Sequence, residues 1–347
     1  MDHYARPARA AVAAMMLFLF WLPAGGCARQ NTAVRAMFWS AEPCPAASPA
    51  SPPAQPAISR TPVPSASFGE LRVMSFNLRV KTILDSLGNS WNSRKELLVS
   101  TIRQFDPDLL GTQEGLATQI DYLWRELDDY DWVGAGRNDG NRGGEMCAIF
   151  FRRSRFQLLD SGHFWLSDTP WLPGSKSWGS TWPRMVTWVK LRPRGHGQAG
   201  GDFCMFNTHF DVFGARARVE SARLLRSKMR LIAGNLPCII TGDFNDQPGS
   251  EPYETLLAGD GKTARLTDVY RASNPSPRPD GEGTRHKFRG GTDGPRIDWI
   301  LTNSGFQPTR AQILHASRDG KFPSDHFPVV AVLRPAAASA THVARIE

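Results

Sequence analysis

The segment Pro237–Gln247, Pro-Cys-Ile-Ile-Thr-Gly-Asp-Phe-Asn-Asp-Gln, constrains the fold of this chain more than any other. Cys238, Ile239 and Ile240 form a short apolar run of the kind that becomes a buried strand. Gly242 then permits a sharp turn, because it has no Cβ to restrict its backbone angles. Asp243 and Asn245 follow, two positions apart. Where the chain stays extended, side chains at that spacing point the same way. A carboxylate and an amide then project together from a strand end, which is where scaffolds commonly carry chemistry. An Asx turn that simply closes the strand is the alternative reading.

The same arrangement recurs along the chain. Leu71–Leu78 alternates apolar and polar residues and delivers Asn77 near its end. Trp91–Phe105 carries Leu97, Leu98, Ile102 and Phe105 at helical spacing, and Asp106-Pro107 stops it, because a residue before proline avoids the helical region. Leu109–Glu114 is a second short strand that ends in a carboxylate, and Leu116–Leu127 is a second amphipathic helix. Further strands are expected at Glu145–Phe151, Phe156–Leu166, Trp182–Val189, Phe203–Asp211, Arg296–Leu301 and Phe327–Leu333, with a helix at Ala215–Leu231. Helices interleaved with strands indicate an α/β layered fold rather than an all-β one.

Asn77, Glu114, His209, Asp243, Asn245, Asp298 and His326 all stand at the edge of an apolar strand. One polar residue there is a turn former. A whole set of them indicates one convergent site.

The ends of the chain read differently. Arg6 and Arg9 precede the apolar stretch Ala10–Leu22, which is short for a bilayer span and has the form of an export signal. Small residues then lead to Cys27, as at a bacterial lipoprotein cleavage site, although Ala24 stands where a larger aliphatic residue is usual. Lipidation of Cys27 with membrane tethering, and ordinary cleavage with free secretion, both fit. Residues 1–27 are therefore assigned to the signal and 28–67 to a Pro/Ala/Ser-rich tether, whose composition cannot bury a core. A folded domain over 68–336 and a tail over 337–347 complete the expected organisation, and the localisation is exported: cell-envelope lipoprotein, periplasmic or secreted.

Lys and Arg total 41 against 33 Asp and Glu, a formal charge of +8. That excess is compatible with a phosphorylated substrate, but no aromatic-interleaved basic cluster marks a nucleic-acid surface. Cys147, Cys204 and Cys238 lie in apolar strand-like runs and read as buried free thiols. No Cys/His spacing suggests zinc.

Taken in order, Ser-Phe-Asn at Asn77, Thr-Gln-Glu at Glu114, Asn-Thr-His at His209, Gly-Asp-Phe-Asn at Asp243 and Asn245, Ile-Asp at Asp298 and Ser-Asp-His at His326 resemble the endonuclease/exonuclease/phosphatase superfamily of metal-dependent phosphoesterases. The resemblance covers Leu71–Leu333. It implies a four-layered α/β sandwich, with two mixed β-sheets packed face to face and flanked by helices. It also implies that Asn77 and Glu114 hold Mg²⁺ or Mn²⁺, a hard cation suited to oxygen ligands. On the same resemblance, His326 oriented by Asp298 handles a proton at the attacking water. Asp243 positions that water, and Asn245 and His209 donate to phosphate oxygens, His209 alternatively serving the leaving group. Asp325 is either a further metal-side carboxylate or a loop support. Arg79 stands where some nucleases of the family have an acidic residue, which weakens a repair-nuclease reading.

Other residues are open to two readings. Arg184 and Arg216 either bind phosphate or merely solvate. His286 either lines a pocket or sits exposed on its Gly-rich loop. The loop from Trp165 to Trp182 is a lid, a membrane-touching surface or ordinary packing. The leading expectation is an exported phosphoesterase for a nucleic acid, a phospholipid headgroup or a small phosphoester. A tethered binding protein on a catalytically inactive scaffold, or a secreted nuclease specific for DNA or RNA, is the alternative.

Overall fold

The computed structural model describes residues 69–195, 201–258 and 264–336. The expected signal with Cys27, the tether and the C-terminal tail lie outside the described residues. Among those residues, no helix is long and apolar enough to cross a membrane.

The chain runs β1 (Leu71–Asn77), α1 (Trp91–Phe105), β2 (Leu109–Gln113), α2 (Ala117–Glu126), β3 (Tyr130–Val133), β4 (Ile149–Arg152) and β5 (Phe156–Trp165). It continues with β6 (Met185–Pro193), β7 (Phe203–His209), α3 (Ala215–Ala233), β8 (Cys238–Asp243) and α4 (Glu251–Ala258). The last elements are β9 (Thr267–Asp268), α5 (Val269–Ser273), β10 (Asp298–Thr302), β11 (Phe306–Ile313) and β12 (Val329–Pro335). Two six-stranded sheets result, with orders β11-β12-β1-β2-β4-β3 and β5-β6-β7-β8-β10-β9. Both are mixed: β1 pairs in parallel with β2 but antiparallel with β12, and β7 pairs in parallel with β8, itself antiparallel to β10.

The strand period of two sorts residues into layers. Leu71, Val73 and Leu109 meet Phe203, Met205, Ile239 and Ile300 between the sheets. Met74, Phe76 and Leu110 pack outward on Leu98 and Ile102 of α1 and Ile120 of α2. On the other sheet Phe206, Ile240 and Trp299 pack on Leu225 of α3 and Leu256 of α4. The result is the expected four-layered α/β sandwich of two mixed sheets flanked by helices.

That same period carries the inter-sheet face toward the site. Along β1 the inward residues are Leu71, Val73, Ser75 and Asn77; along β8 they are Ile239, Thr241 and Asp243. The inter-sheet layer thus changes from apolar to polar toward one edge. Asn207 braces this transition: its Oδ1 accepts from Gln113 Nε2 at 2.7 Å and Thr241 Oγ1 at 3.0 Å, and its Nδ2 donates to Thr112 O at 2.7 Å. Gly111 allows the close approach, since a Cβ there would lie 2.1 Å from Thr241 Oγ1.

Most strand and helix ends shift by one to three residues from the sequence expectation, and three differences bear on the site. Glu145–Phe151 pairs as a ladder only from Ile149, because Met146 makes isolated bridges to Gly115 and Gly136 instead. Strand pairing after Trp182 begins at Met185. Asn245 does not continue an extended strand. Its φ is +50°, and its N–H donates to Asp243 Oδ1 at 3.0 Å, so the Asx turn is present and reaims the amide.

Candidate active site

Asp243, the last residue of β8, is the centre of the cluster. His209, the last residue of the parallel neighbour β7, is in register with it, and Asp298 at the start of β10 is in register on the other side. His209 Nε2 lies 3.5 Å from Asp243 Oδ2. Asn77 at the end of β1 donates through Nδ2 to Asp243 Oδ2 at 2.9 Å and to Glu114 Oε1 at 3.0 Å. Glu114 itself sits just beyond β2 at φ +63°, unusual for a residue other than glycine and typical of strained functional positions. Val80 N holds its other oxygen at 2.9 Å.

His326 enters from the loop before β12. Its Nδ1 lies 2.9 Å from Asp298 Oδ2 and 3.9 Å from Asp243 Oδ2. Asp298 is set by Thr284 Oγ1, which accepts from the backbone N–H of Ile297 and Asp298. Ser324 fixes the incoming loop by donating to Asn77 O at 2.6 Å. On the far side, Asn245 Nδ2 lies 2.9 Å from His209 Nε2, a spacing that makes that imidazole nitrogen the acceptor. All the expected site residues therefore meet in one place: Asn77, Glu114, His209, Asp243, Asn245, Asp298, Asp325 and His326.

The charge states follow from burial and neighbours. Burial opposes a charged His326, but Asp298, then Asp243 and Asp325, outweigh it and raise the imidazole to about 10. Burial, reinforced by Arg184 and Arg137, holds His209 well below its usual range, so it stays neutral. Burial and then the adjacent Asp298 push Asp243 up to about 7. Glu114 goes the other way: burial is outweighed by the His326 charge and by hydrogen bonds from Asn77 and Val80.

The donor set fits a divalent cation. Ligating atoms of Glu114, His209 and Asp243, and likewise of Asp243, Asp298 and His326, lie within 4.8 Å of one another. Asp298 Oδ1 and Asp325 Oδ1 are buried with no hydrogen-bond partner, and buried carboxylates are normally paired or metal-bound. Arg79 approaches Asp325 at 3.8 Å. Asn77 presents Nδ2, not Oδ1, to the carboxylates, while its Oδ1 accepts from Arg79 N at 2.9 Å. Ligation through Asn77 Oδ1 therefore requires the amide to turn over.

Two expectations about the surroundings change. His286 is not an exposed loop residue: it is buried and stacked on Phe327 with ring centroids 4.0 Å apart. Arg184 is not on the surface but buried beside His209, whereas Arg216 is exposed. Sequence reading did not single out Arg137 and Glu145, which pair with each other across one turn, or Asp211, which joins the Ser180–Thr181 loop to Phe213.

Paired histidines and carboxylates at the edge of a four-layered α/β sandwich define a class of enzyme, the hydrolases of phosphoric esters. Residues 74–326 match the model of the Endonuclease/Exonuclease/phosphatase family, and the chain belongs to that family. Nocturnin from Rattus norvegicus is 24% identical over 304 residues, covering 77% of this chain and 66% of that protein, slightly less than two thirds of its length. Among solved structures, an endonuclease/exonuclease/phosphatase family protein from Bacteroides thetaiotaomicron is similar at 34% identity and TM-score 0.69, covering 76% of this chain and 97% of that one. A mannosyl-6-phosphatase from the same organism is similar at 35% identity and TM-score 0.68, covering 76% and 99%.

Proposed function

We propose that this protein is an exported, divalent-metal-dependent phosphatase that hydrolyses a small phosphomonoester by in-line attack of water. The observation that carries the reading is Asp243 between two imidazoles of opposite charge state, with Glu114 in the same cluster. Glu114, with Asp325 and Asn77 beside it, would hold Mg²⁺ or Mn²⁺. Such a cation polarises the phosphoryl group and stabilises charge on the leaving oxygen.

The remaining steps belong to the chain. His326, held as the imidazolium by Asp298, already carries its proton and so stabilises phosphoryl charge rather than accepting a proton from water. Asp243, raised to about 7, is poised to take that proton near neutral pH. Asn245 Nδ2 donates to His209 Nε2 at 2.9 Å and to Phe210 O at 3.0 Å, so it orients His209, and donating to a phosphate oxygen requires it to release one of these partners. Neutral His209 can hydrogen-bond at the leaving-group side.

Similarity to a mannosyl-6-phosphatase over nearly that whole chain supports a small phosphomonoester over a nucleic acid or a lipid headgroup. The inactive-scaffold reading has no missing residue to rest on. Export through Ala10–Leu22, with or without lipidation of Cys27, is part of the same reading, tested by fractionating cells that express the wild type and Cys27→Ala.

The functional test is a panel of mannose 6-phosphate, DNA, RNA, sphingomyelin and bis-p-nitrophenyl phosphate, each with Mg²⁺, Mn²⁺ or EDTA. Metal-dependent release of phosphate, absent in His326→Ala, is expected on the monoester first. Turnover in EDTA, or cleavage of nucleic acid alone, would overturn the reading.

A further inference from the structure

The wall beside Glu114 and His209 contains an arginine that the catalytic reading leaves unused. Arg184 is 4% exposed, and neither its Nε nor its Nη1 has a hydrogen-bond partner. Asp211 Oδ2 lies 3.8 Å from Nε, beyond hydrogen-bond reach. That carboxylate is already occupied by Thr181 N at 2.9 Å, Ser180 Oγ at 3.1 Å, Phe213 N at 3.0 Å and Gly214 N at 2.7 Å. Arg137 on the opposite wall is committed to Glu145 through two bonds of 2.7 Å. Between them is a cavity of about 10 Å³, lined by Glu114, Arg137, Glu145, Cys147, Arg184 and His209. It has room for about one oxygen-sized atom. A buried guanidinium with unmet donors is costly, and an acceptor from a ligand would complete it.

The same arginine leads outward to an aromatic shelf. Arg184 Cζ lies 5.8 Å from the Trp182 ring centroid, and Arg137 Cζ lies 5.9 Å from it. Trp182 stands 6.0 Å from Phe213, and the two are 42% and 72% exposed. Asp211 ties the two loops that carry these rings, so the shelf is a built feature.

We propose that Arg184 and the Trp182–Phe213 shelf form one substrate pocket that selects the phosphomonoester of a sugar. The proposal rests on the hydrolase reading above and adds the substrate class. A monoester dianion has one more unesterified oxygen and one more negative charge than a diester, and the unmet Nε–H and Nη1–H of Arg184 supply separate charged donors toward them. Beyond the phosphate, an exposed Trp and Phe beside polar groups suit a body that is apolar on one ring face and hydroxylated at its rim, as a hexose is.

The test measures kcat and KM for mannose 6-phosphate, methyl phosphate, adenosine 5′-monophosphate and bis-p-nitrophenyl phosphate in wild type, Arg184→Gln, Arg184→Lys and Trp182→Ala. Arg184→Gln should lower kcat/KM on the monoesters by roughly 10- to 100-fold and on the diester by clearly less. Arg184→Lys should recover only part, because it keeps the charge but not the fixed planar placing of the donors. Trp182→Ala, at a half-exposed position that does not threaten folding, should narrow the preference for mannose 6-phosphate over methyl phosphate through KM. Equal losses on monoester and diester, an unchanged sugar preference in Trp182→Ala, or a preference for the nucleotide would each overturn the proposal. If the wild type turned over nothing, the hydrolase reading would fail. Calorimetric binding of mannose 6-phosphate, weakened or not by Arg184→Gln and Trp182→Ala, would still decide the pocket.

Discussion

His326 Nδ1 and Asp298 Oδ2 stand 2.9 Å apart, with both side chains buried. The pair fixes the imidazole's charge as well as its direction, since Asp298 is the chief attractive influence that overcomes burial. It also leaves Asp243 as the carboxylate whose proton affinity falls near neutrality.

Asp298→Asn keeps the shape of that contact but removes the anion. His326 should then titrate well below about 10, and kcat/KM should fall by about 10²- to 10³-fold, the usual reach of a preorganised group that stabilises developing charge. Histidine ring proton shifts followed against pH check the first point and steady-state kinetics the second. A His326 titration that does not move would count against the pair's role.

Glu114 and its neighbours should make metal binding visible in stability. A ligand that binds only the folded state raises Tm in a concentration-dependent way. Mg²⁺ should therefore raise the melting temperature of the wild type, and the increment should vanish in Glu114→Ala. A shift that persists in the variant would move the metal away from Glu114.

Acid should weaken the fold through neutral histidines that are partly or wholly buried. Burial lowers His163 to about 4, whereas an unfolded histidine titrates near 6.5. Between those values the unfolded chain binds a proton that the native chain refuses, so stability is lost as pH falls from about 6.5 to about 4. His286, also lowered to about 4 by burial, acts in the same direction. Denaturant unfolding at a series of pH values should show this slope, and His163→Gln should flatten it.

Gly111→Ala tests the brace between the sheets. The added methyl would meet Thr241 Oγ1 at 2.1 Å and Asn207 Oδ1 at 2.8 Å. The expected cost is about 1–3 kcal/mol, as for other overpacked interiors, read from urea midpoints. A neutral effect would mean that the sheets separate there without penalty.

Much of the architecture was legible because core strands such as Cys238–Asp243 are short apolar runs, and because α1 ends at Asp106-Pro107 as expected. Other elements left no such signal. β11 contains Pro308 at a register shift and alternates toward solvent, so it reads as loop. β3 has only four residues. At the site, the polar strand-end residues were visible as a set, since each breaks an apolar pattern. The turn at Asn245 was not, because its direction is set by the Asx bond to Asp243 rather than by strand alternation. Arg184 was legible as a phosphate-binding candidate, but its burial was not: that depends on loops tied by Asp211, and nothing in the sequence near Arg184 encodes it.

The most direct test of the central claim is release of inorganic phosphate from mannose 6-phosphate by the purified protein, with Mg²⁺ and then with EDTA, in wild type and Asp243→Asn. Turnover that is abolished by EDTA, restored by added Mg²⁺ and lost in a folded Asp243→Asn variant is the predicted result. Turnover that survives either EDTA or the loss of the Asp243 carboxylate would contradict the account.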